Sequence, residues 1–438
     1  MPSTRLPRRA FLRGTAVGAA VGVAGCSALA RRPDPEPIPD ATAGPDDWPA
    51  SGYDARNSRY NAGASPPRSE PAPRWTRDFE FWHEPLVRGT RVVVNAERHT
   101  VGLRATDGDR LWRSTSTPWG TETPTLGAER AYVTGTDCVF GVNLDGGGET
   151  WRGRPCHGAN TASGTIADGR LHLEYGGYFS ALDATGRVAW ASSHDAQGSP
   201  AIDGDTAYVA TALTVEAVDL TAAANEWPWE DPDDDEPAHA SRTAATEWSV
   251  PSESRITGPR IYRSPAIADE SVYVTVEHED RPGGELRALA RTDGEERWRV
   301  ASPPARRGGD APEPVGRPVA PVVADDLVVT SLGDRRLRAV TTEGRTEWTA
   351  SLDLDVIDLV GAGDALVAAT HDRSVESTAP GHAALAAFDL GDGSRLWKKR
   401  FEDHVGGLAI AGGTVYATVV TERQGDGEVV GQRLVAFG

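Results

Sequence analysis

The sequence predicts an all-β fold, an eight-bladed β-propeller of four-stranded antiparallel blades whose ring is closed by an N-terminal strand. Three observations carry this prediction. The turn segment ATDGDRLWR, Ala105 to Arg113, recurs as ALDATGRVAW from Ala181, ALARTDGEERW from Ala288, AVTTEGRTEW from Ala339 and AFDLGDGSRLW from Ala387. Trp75, Trp112, Trp151, Trp190, Trp248, Trp298, Trp348 and Trp397 are spaced 37, 39, 39, 58, 50, 50 and 49 residues apart, a period that fits one four-stranded blade per step. The two ends are complementary: the last unit, from Gly406, stops after its third strand, while PRWTRDFEF around Trp75 is a Trp strand with no blade before it. Pairing the two removes the open sheet edge.

From the N-terminus, Arg8 and Arg9 in RRAFLR form a twin-arginine pair followed by a weakly apolar run to Gly25, the pattern of an export signal. The run is too short to favour a spanning helix, which needs about 20 apolar residues. It ends in VAGC, which resembles a lipobox and makes Cys26 the expected lipid anchor, so that residues 1–25 are signal. The Pro- and Asp-rich stretch after Cys26, to residue 47, is expected to be a disordered spacer, with the propeller running from 48 to 438. These features place the protein on the outer face of the cell membrane, reached by the twin-arginine route.

Each blade opens with a short first strand, near Glu84, Glu122, Ala162, Gly198, Arg263, Arg317, Val356 and Gly406. A tight Gly/Asp turn follows, then an apolar run such as RVVVNA or VYVTVE, a third strand, the recurring turn, and the Trp strand. The chain resembles the pyrroloquinoline-quinone-like β-propeller repeat family, whose blades carry a pattern close to Ala-x-Asp-x-x-x-Gly-x-x-x-Trp. Ala387, Asp389, Gly393 and Trp397 match it at full spacing, and Ala181, Asp183, Gly186 and Trp190 match with one residue fewer. WPASGYDARNSRYN, from Trp48 to Asn61, is similar to the segment that opens many members. The resemblance implies that the Trp residues dock against neighbouring blades.

Composition bounds the partners. The chain carries 45 basic and 64 acidic residues, and loss of residues 1–25 leaves 41 basic ones and a formal charge of −23. Such a surface repels nucleic acid and anionic headgroups. Lys398 and Lys399 are the only lysines, and an acidic, lysine-poor surface resembles that of proteins from salt-loving archaea, which implies a fold that weakens in low salt. Cys138 and Cys156 flank one hairpin; one register sets them opposite each other for a disulfide, and a slip of two or three residues separates them.

The resembling family contains quinone-dependent dehydrogenases and non-catalytic propellers, among them the propeller lipoprotein of bacterial outer-membrane barrel assembly, and the fold does not separate them. The dehydrogenases imply adjacent cysteines over the quinone, a Glu/Asn/Asp calcium set and an aspartate base. No adjacent cysteine pair exists here, and Asp195 and Asp355 are not distinguished from other loop aspartates. No HxH, HxxxH or CxxC spacing supports a metal site. The long excursions before blades 5 and 6 and within blades 5 and 7 fall on the face of the inter-blade links, where binding is expected. The exception is the insertion from Asn225 to Trp248, which falls on the opposite face and carries Trp227 and Trp229.

Around the axial channel the candidate ligand funnel comprises His83, Glu84, Trp119, Glu122, His157, Asn160, Gln197, Tyr262, Arg263 and His404, with His194 in another inter-blade link. The same residues also read as an ordinary hydrated channel mouth. The expectation is a monomeric, membrane-anchored binding or scaffolding propeller with a cell-surface or membrane protein partner, no catalytic residues, no metal and no cofactor. The alternative is a quinone-dependent oxidoreductase holding pyrroloquinoline quinone with calcium.

Overall fold

The computed structural model describes residues 36–39, 42–79, 83–96, 99–114, 123–135, 138–153, 163–175, 178–192, 194, 196, 198–211, 214–223, 245–251, 260–277, 283–303, 316–372, 382–402, 404–423 and 429–438. Eight sheets follow one another around the ring, seven of them with their four blade strands in sequence order. In blade 1 these strands are Leu86–Arg88, Arg91–Ala96, His99–Arg104 and Arg110–Arg113. The first strands of blades 2 to 8 are Thr125–Leu126, Thr165–Ala167, Ala201–Asp203, Arg260–Ala268, Val322–Ala324, Asp355–Ala362 and Val405–Ala411. Blade 8 is completed by Pro73–Phe79, antiparallel to Val429–Phe437 with Trp75 opposite Ala436, so an N-terminal strand closes the ring. The one helix among the described residues is Leu220–Ala223, a single turn after the third strand of blade 4.

The recurring turn is a socket. Trp348 of blade 6 donates its indole N–H to Leu390 O of blade 7 at 2.9 Å, and its ring lies over Gly393. A side-chain carbon at Gly393 would stand 2.4 Å from that ring, and the residue has φ +71, so glycine is required twice over. Trp75, Trp112, Trp248, Trp298 and Trp397 reach carbonyls of Ala105, Leu144, Arg291, Thr342 and Pro67 in the same way, at 2.5 to 2.9 Å. Within blades 2, 4, 5 and 8 a second-strand tyrosine packs beside the Trp of the same blade: Tyr132, Tyr208, Tyr273 and Tyr416. Blade 3 carries His172 there, 5.7 Å from Trp190, and burial pushes this imidazole down to about 4.

The opening segment forms a plug across the axis at the end where first and second strands turn. Its carbonyls accept from first-strand amides in chain order: Trp48 from Val87, Pro49 from Leu126, Ala55 from Ile202, Arg56 from Ile267, Ser58 from Val323 and Arg59 from Gly361, all at 2.7 to 3.0 Å. Tyr60–Asn61 then pairs in parallel with Asp355–Ala362. The plug follows the curve of the ring by placing Tyr53, Asn57 and Arg59 at φ 70, 53 and 51. Buried Asn57 donates to Ser199 O and Pro265 O, locking the plug to blades 4 and 5. Residues 36–39, within the stretch expected to be spacer, lie against blade 3: Ile38 is buried and donates to Gly169 O, and Glu36 O accepts from Ala184 N.

Candidate functional site

The plug supplies the floor of the axial funnel. Arg59 stands on it with its guanidinium against the first strands of blades 1 and 7: Nη2 lies 2.5 Å from Asp358 Oδ1 and 3.8 Å from Glu84 Oε1. Its other nitrogens donate to Leu359 O and Ser51 O, each at 3.0 Å. Asp358 Oδ2 accepts from Leu408 N of blade 8 at 2.9 Å. One cation and two carboxylates thus tie together the plug and blades 1, 7 and 8 with little exposure of any of the three, so that the guanidinium offsets part of the negative charge at the axis.

Of the sequence-predicted funnel residues, Glu84 is at this floor. His83 is half-buried beside it, and His404 packs against His371 with ring centroids 5.1 Å apart and the planes tilted by 59°. Tyr262 and Arg263 are placed on the first strand of blade 5. Trp119, Glu122, His157, Asn160 and Gln197 lie outside the described residues, as do Asp195, Cys156, Arg8, Arg9 and Cys26. Cys138 is disulfide-bonded.

His194 is fully enclosed, away from the axis, between the fourth strand of blade 3 and the outer strands of blade 4. Its ring nitrogens meet Ser192 Oγ and Thr246 Oγ1, both at 2.9 Å, and Nε2 lies 3.6 Å from Glu216. This Ser–His–Glu grouping has no route to a substrate, with His194 at 0% and Glu216 at 2% exposure, so it is a seam contact. Asp355 is buried too, held by Arg335 at 3.1 Å, which also reaches Asp372 at 3.6 Å. His382 closes that loop-face chain 3.8 Å from Asp372.

The described residues do not fit a calcium-bound quinone at the axis. Among them no three His, Cys, Asp or Glu side chains are placed to hold a metal ion, and the axial carboxylates Glu84 and Asp358 face Arg59 instead. The sequence reading missed Arg59 as the centre of the floor. Its signal was an arginine among the small and polar residues of the opening segment, but nothing local says that this segment crosses the axis.

Solved structures share the fold. The quinohemoprotein alcohol dehydrogenase of Comamonas testosteroni is 13% identical with a TM-score of 0.60, covering 90% of this chain and 81% of that one. A europium-containing methanol dehydrogenase is 12% identical with a TM-score of 0.58, covering 90% and 98%. BamB of Moraxella catarrhalis is 16% identical over 64% of this chain and 79% of its own, with a TM-score of 0.46. No curated protein is significantly similar in sequence. Residues 97–231 and 233–431 match the family model described as outer membrane protein assembly factor BamB, and with most of its length so matched the chain belongs to that family of PQQ-like propeller repeats.

Proposed function

We propose that this protein is a non-catalytic binding or scaffolding propeller, exported by the twin-arginine route and held at the outer face of the cell membrane by a lipid on Cys26. The observation that carries the reading is the commitment of buried ionisable groups to structure, at the axis and at the seams. Arg59 occupies Asp358 and Glu84, Arg335 occupies Asp355, and His194 is walled in with Glu216. The family's description as an assembly factor supports a scaffold. Leu111 is the one large apolar side chain exposed among the described residues, and the long inter-blade links are rich in polar and charged residues, so a partner is recognised there through polar and charged contacts.

The fold similarity to quinone enzymes favours the alternative, an oxidoreductase using the funnel, through architecture alone. The two readings separate in a titration of the protein, in molar salt, with pyrroloquinoline quinone and calcium, followed by tryptophan fluorescence and thermal melting. The scaffold reading expects neither quenching nor a raised melting temperature. Saturable quenching that is lost in Trp119→Ala or Arg263→Ala moves the enzyme reading to the front. For the anchor, Cys26→Ser is expected to release the protein from membranes, and undiminished retention removes that claim.

A further inference from the structure

The plug contacts the first strands of blades 1, 2, 4, 5, 6 and 7 by one carbonyl each, but it passes blade 3 without such a bond among the described residues. The register there is regular. Ile166 pairs with Leu171 as Ile202 pairs with Ala207, each one step before a two-residue turn, so the Ile166 amide points away from its own sheet as the Ile202 amide does. The plug fails to meet it because residues 50–54 fold back on themselves, with Tyr53 N donating to Ala50 O and Asp54 N to Gly52 O. The space left is a cavity of about 530 Å³ on the turn face, walled by this bend and by blades 2 to 4.

Its walls are acidic. Asp54, Asp168, Asp203 and Asp205 line it with Arg56 as the one cation, and Arg56 is spent on Asp203 at 2.8 Å. Asp203 is matched a second time by Arg291 at 2.7 Å. Burial raises the Asp54 carboxyl, which accepts from Ser58 Oγ, Ser58 N and Arg56 N. Asp168 and Asp205 sit exposed at the mouth with no ion pair or side-chain hydrogen bond among the described residues. An outward strand amide inside a cavity with two unmatched carboxylates at its rim calls for a ligand that brings a carbonyl oxygen and a cation together.

We propose that this cavity binds an extended peptide segment bearing an arginine or lysine: a main-chain carbonyl of the segment accepts from Ile166 N–H, taking the place of the missing plug carbonyl, and its cation lies against Asp168 and Asp205. The site is on the turn face, opposite the links assigned to partner recognition above, so its failure leaves that reading standing. The test uses the full chain labelled with ¹⁵N-isoleucine, the Ile166 signal being assigned with Ile166→Val. The probe is acetyl-Gly-Gly-Arg-Gly-Gly-amide, compared with its Gln counterpart.

The expected result is a saturable shift of the Ile166 amide with the Arg peptide, weaker with the Gln peptide. Asp168→Asn/Asp205→Asn is expected to lower the affinity roughly 2- to 10-fold, as for exposed charge pairs, without changing the melting temperature. An unmoved Ile166 signal at millimolar peptide, or shifts confined to other isoleucines, overturns the proposal. Equal binding of both peptides overturns its cationic half.

Discussion

At the seam between blades 5 and 6, the indole N–H of Trp298 meets Thr342 O at 2.8 Å and its ring covers Gly344. At the seam between blades 2 and 3 the Trp151 ring covers Gly186 in the same way, yet its N–H has no hydrogen-bond partner among the described residues. The equivalent acceptor, Ala184 O, is approached instead by Arg130 Nη1 at 3.3 Å, while Ala184 N is turned to Glu36 O. Blade 3 departs from the pattern in three further ways: His172 replaces tyrosine or valine, the plug skips its first strand, and a cavity opens beside it. The difference teaches that the repeat fixes shape through ring-on-glycine packing, which blade 3 keeps, while the polar contacts at a seam are replaceable. A ring of eight self-satisfied sheets tolerates one sector held by other means.

The largest test of this comparison truncates the two tryptophans. Trp348→Ala is expected to cost about 3 to 5 kcal/mol, since it removes a buried ring and its hydrogen bond. Trp151→Ala is expected to cost about 1 kcal/mol less, the worth of a hydrogen bond it does not make. Denaturant titrations at fixed high salt measure both, and an equal or larger loss at Trp151 would break the distinction between the seams.

Next comes the buried histidine of blade 3. Its folded value of about 4 lies below the ordinary imidazole value of 6.5, so the unfolded chain takes up the proton first as pH falls. The His172 contribution is therefore fully present above about pH 6.5 and lost progressively towards pH 4, about 3 kcal/mol in all. His172→Tyr, which installs the residue of blades 2, 4, 5 and 8, is expected to remove this part of the acid sensitivity. A melting temperature with the same pH slope in both proteins would place the sensitivity elsewhere.

The smallest effects lie at two glycines of positive φ. Gly393→Ala strains the backbone at φ +71 and drives a carbon into the Trp348 ring, and is expected to cost about 2 to 3 kcal/mol. Gly204→Ala at φ +58 meets nothing within 4 Å and is expected to cost about 1 kcal/mol. Equal melting temperatures for the two variants would mean that the ring is not seated on the glycine.

Much of the fold was legible because its cause is local and repeated. The Asp/Thr–Gly turns and the two-residue reversals form within one blade, the Trp spacing repeats from each blade to the next, and the incomplete last unit with its orphan Trp strand announces closure. The site was less legible. Glu84 was named for its position before a first strand, but its ion partner Arg59 comes from a segment 25 residues earlier that returns across the axis. His194 was read as a link residue, and only packing shows it sealed against Glu216.

By itself the sequence determined the class of fold, the number of blades, the closing strand and the acidic surface, since periodicity, turn chemistry and charge are properties of the chain. Tertiary structure alone decided which groups share the axis, which blade the plug leaves unmet and where the cavity lies. Those facts depend on residues far apart in sequence meeting around a closed ring, and no local pattern encodes such meetings.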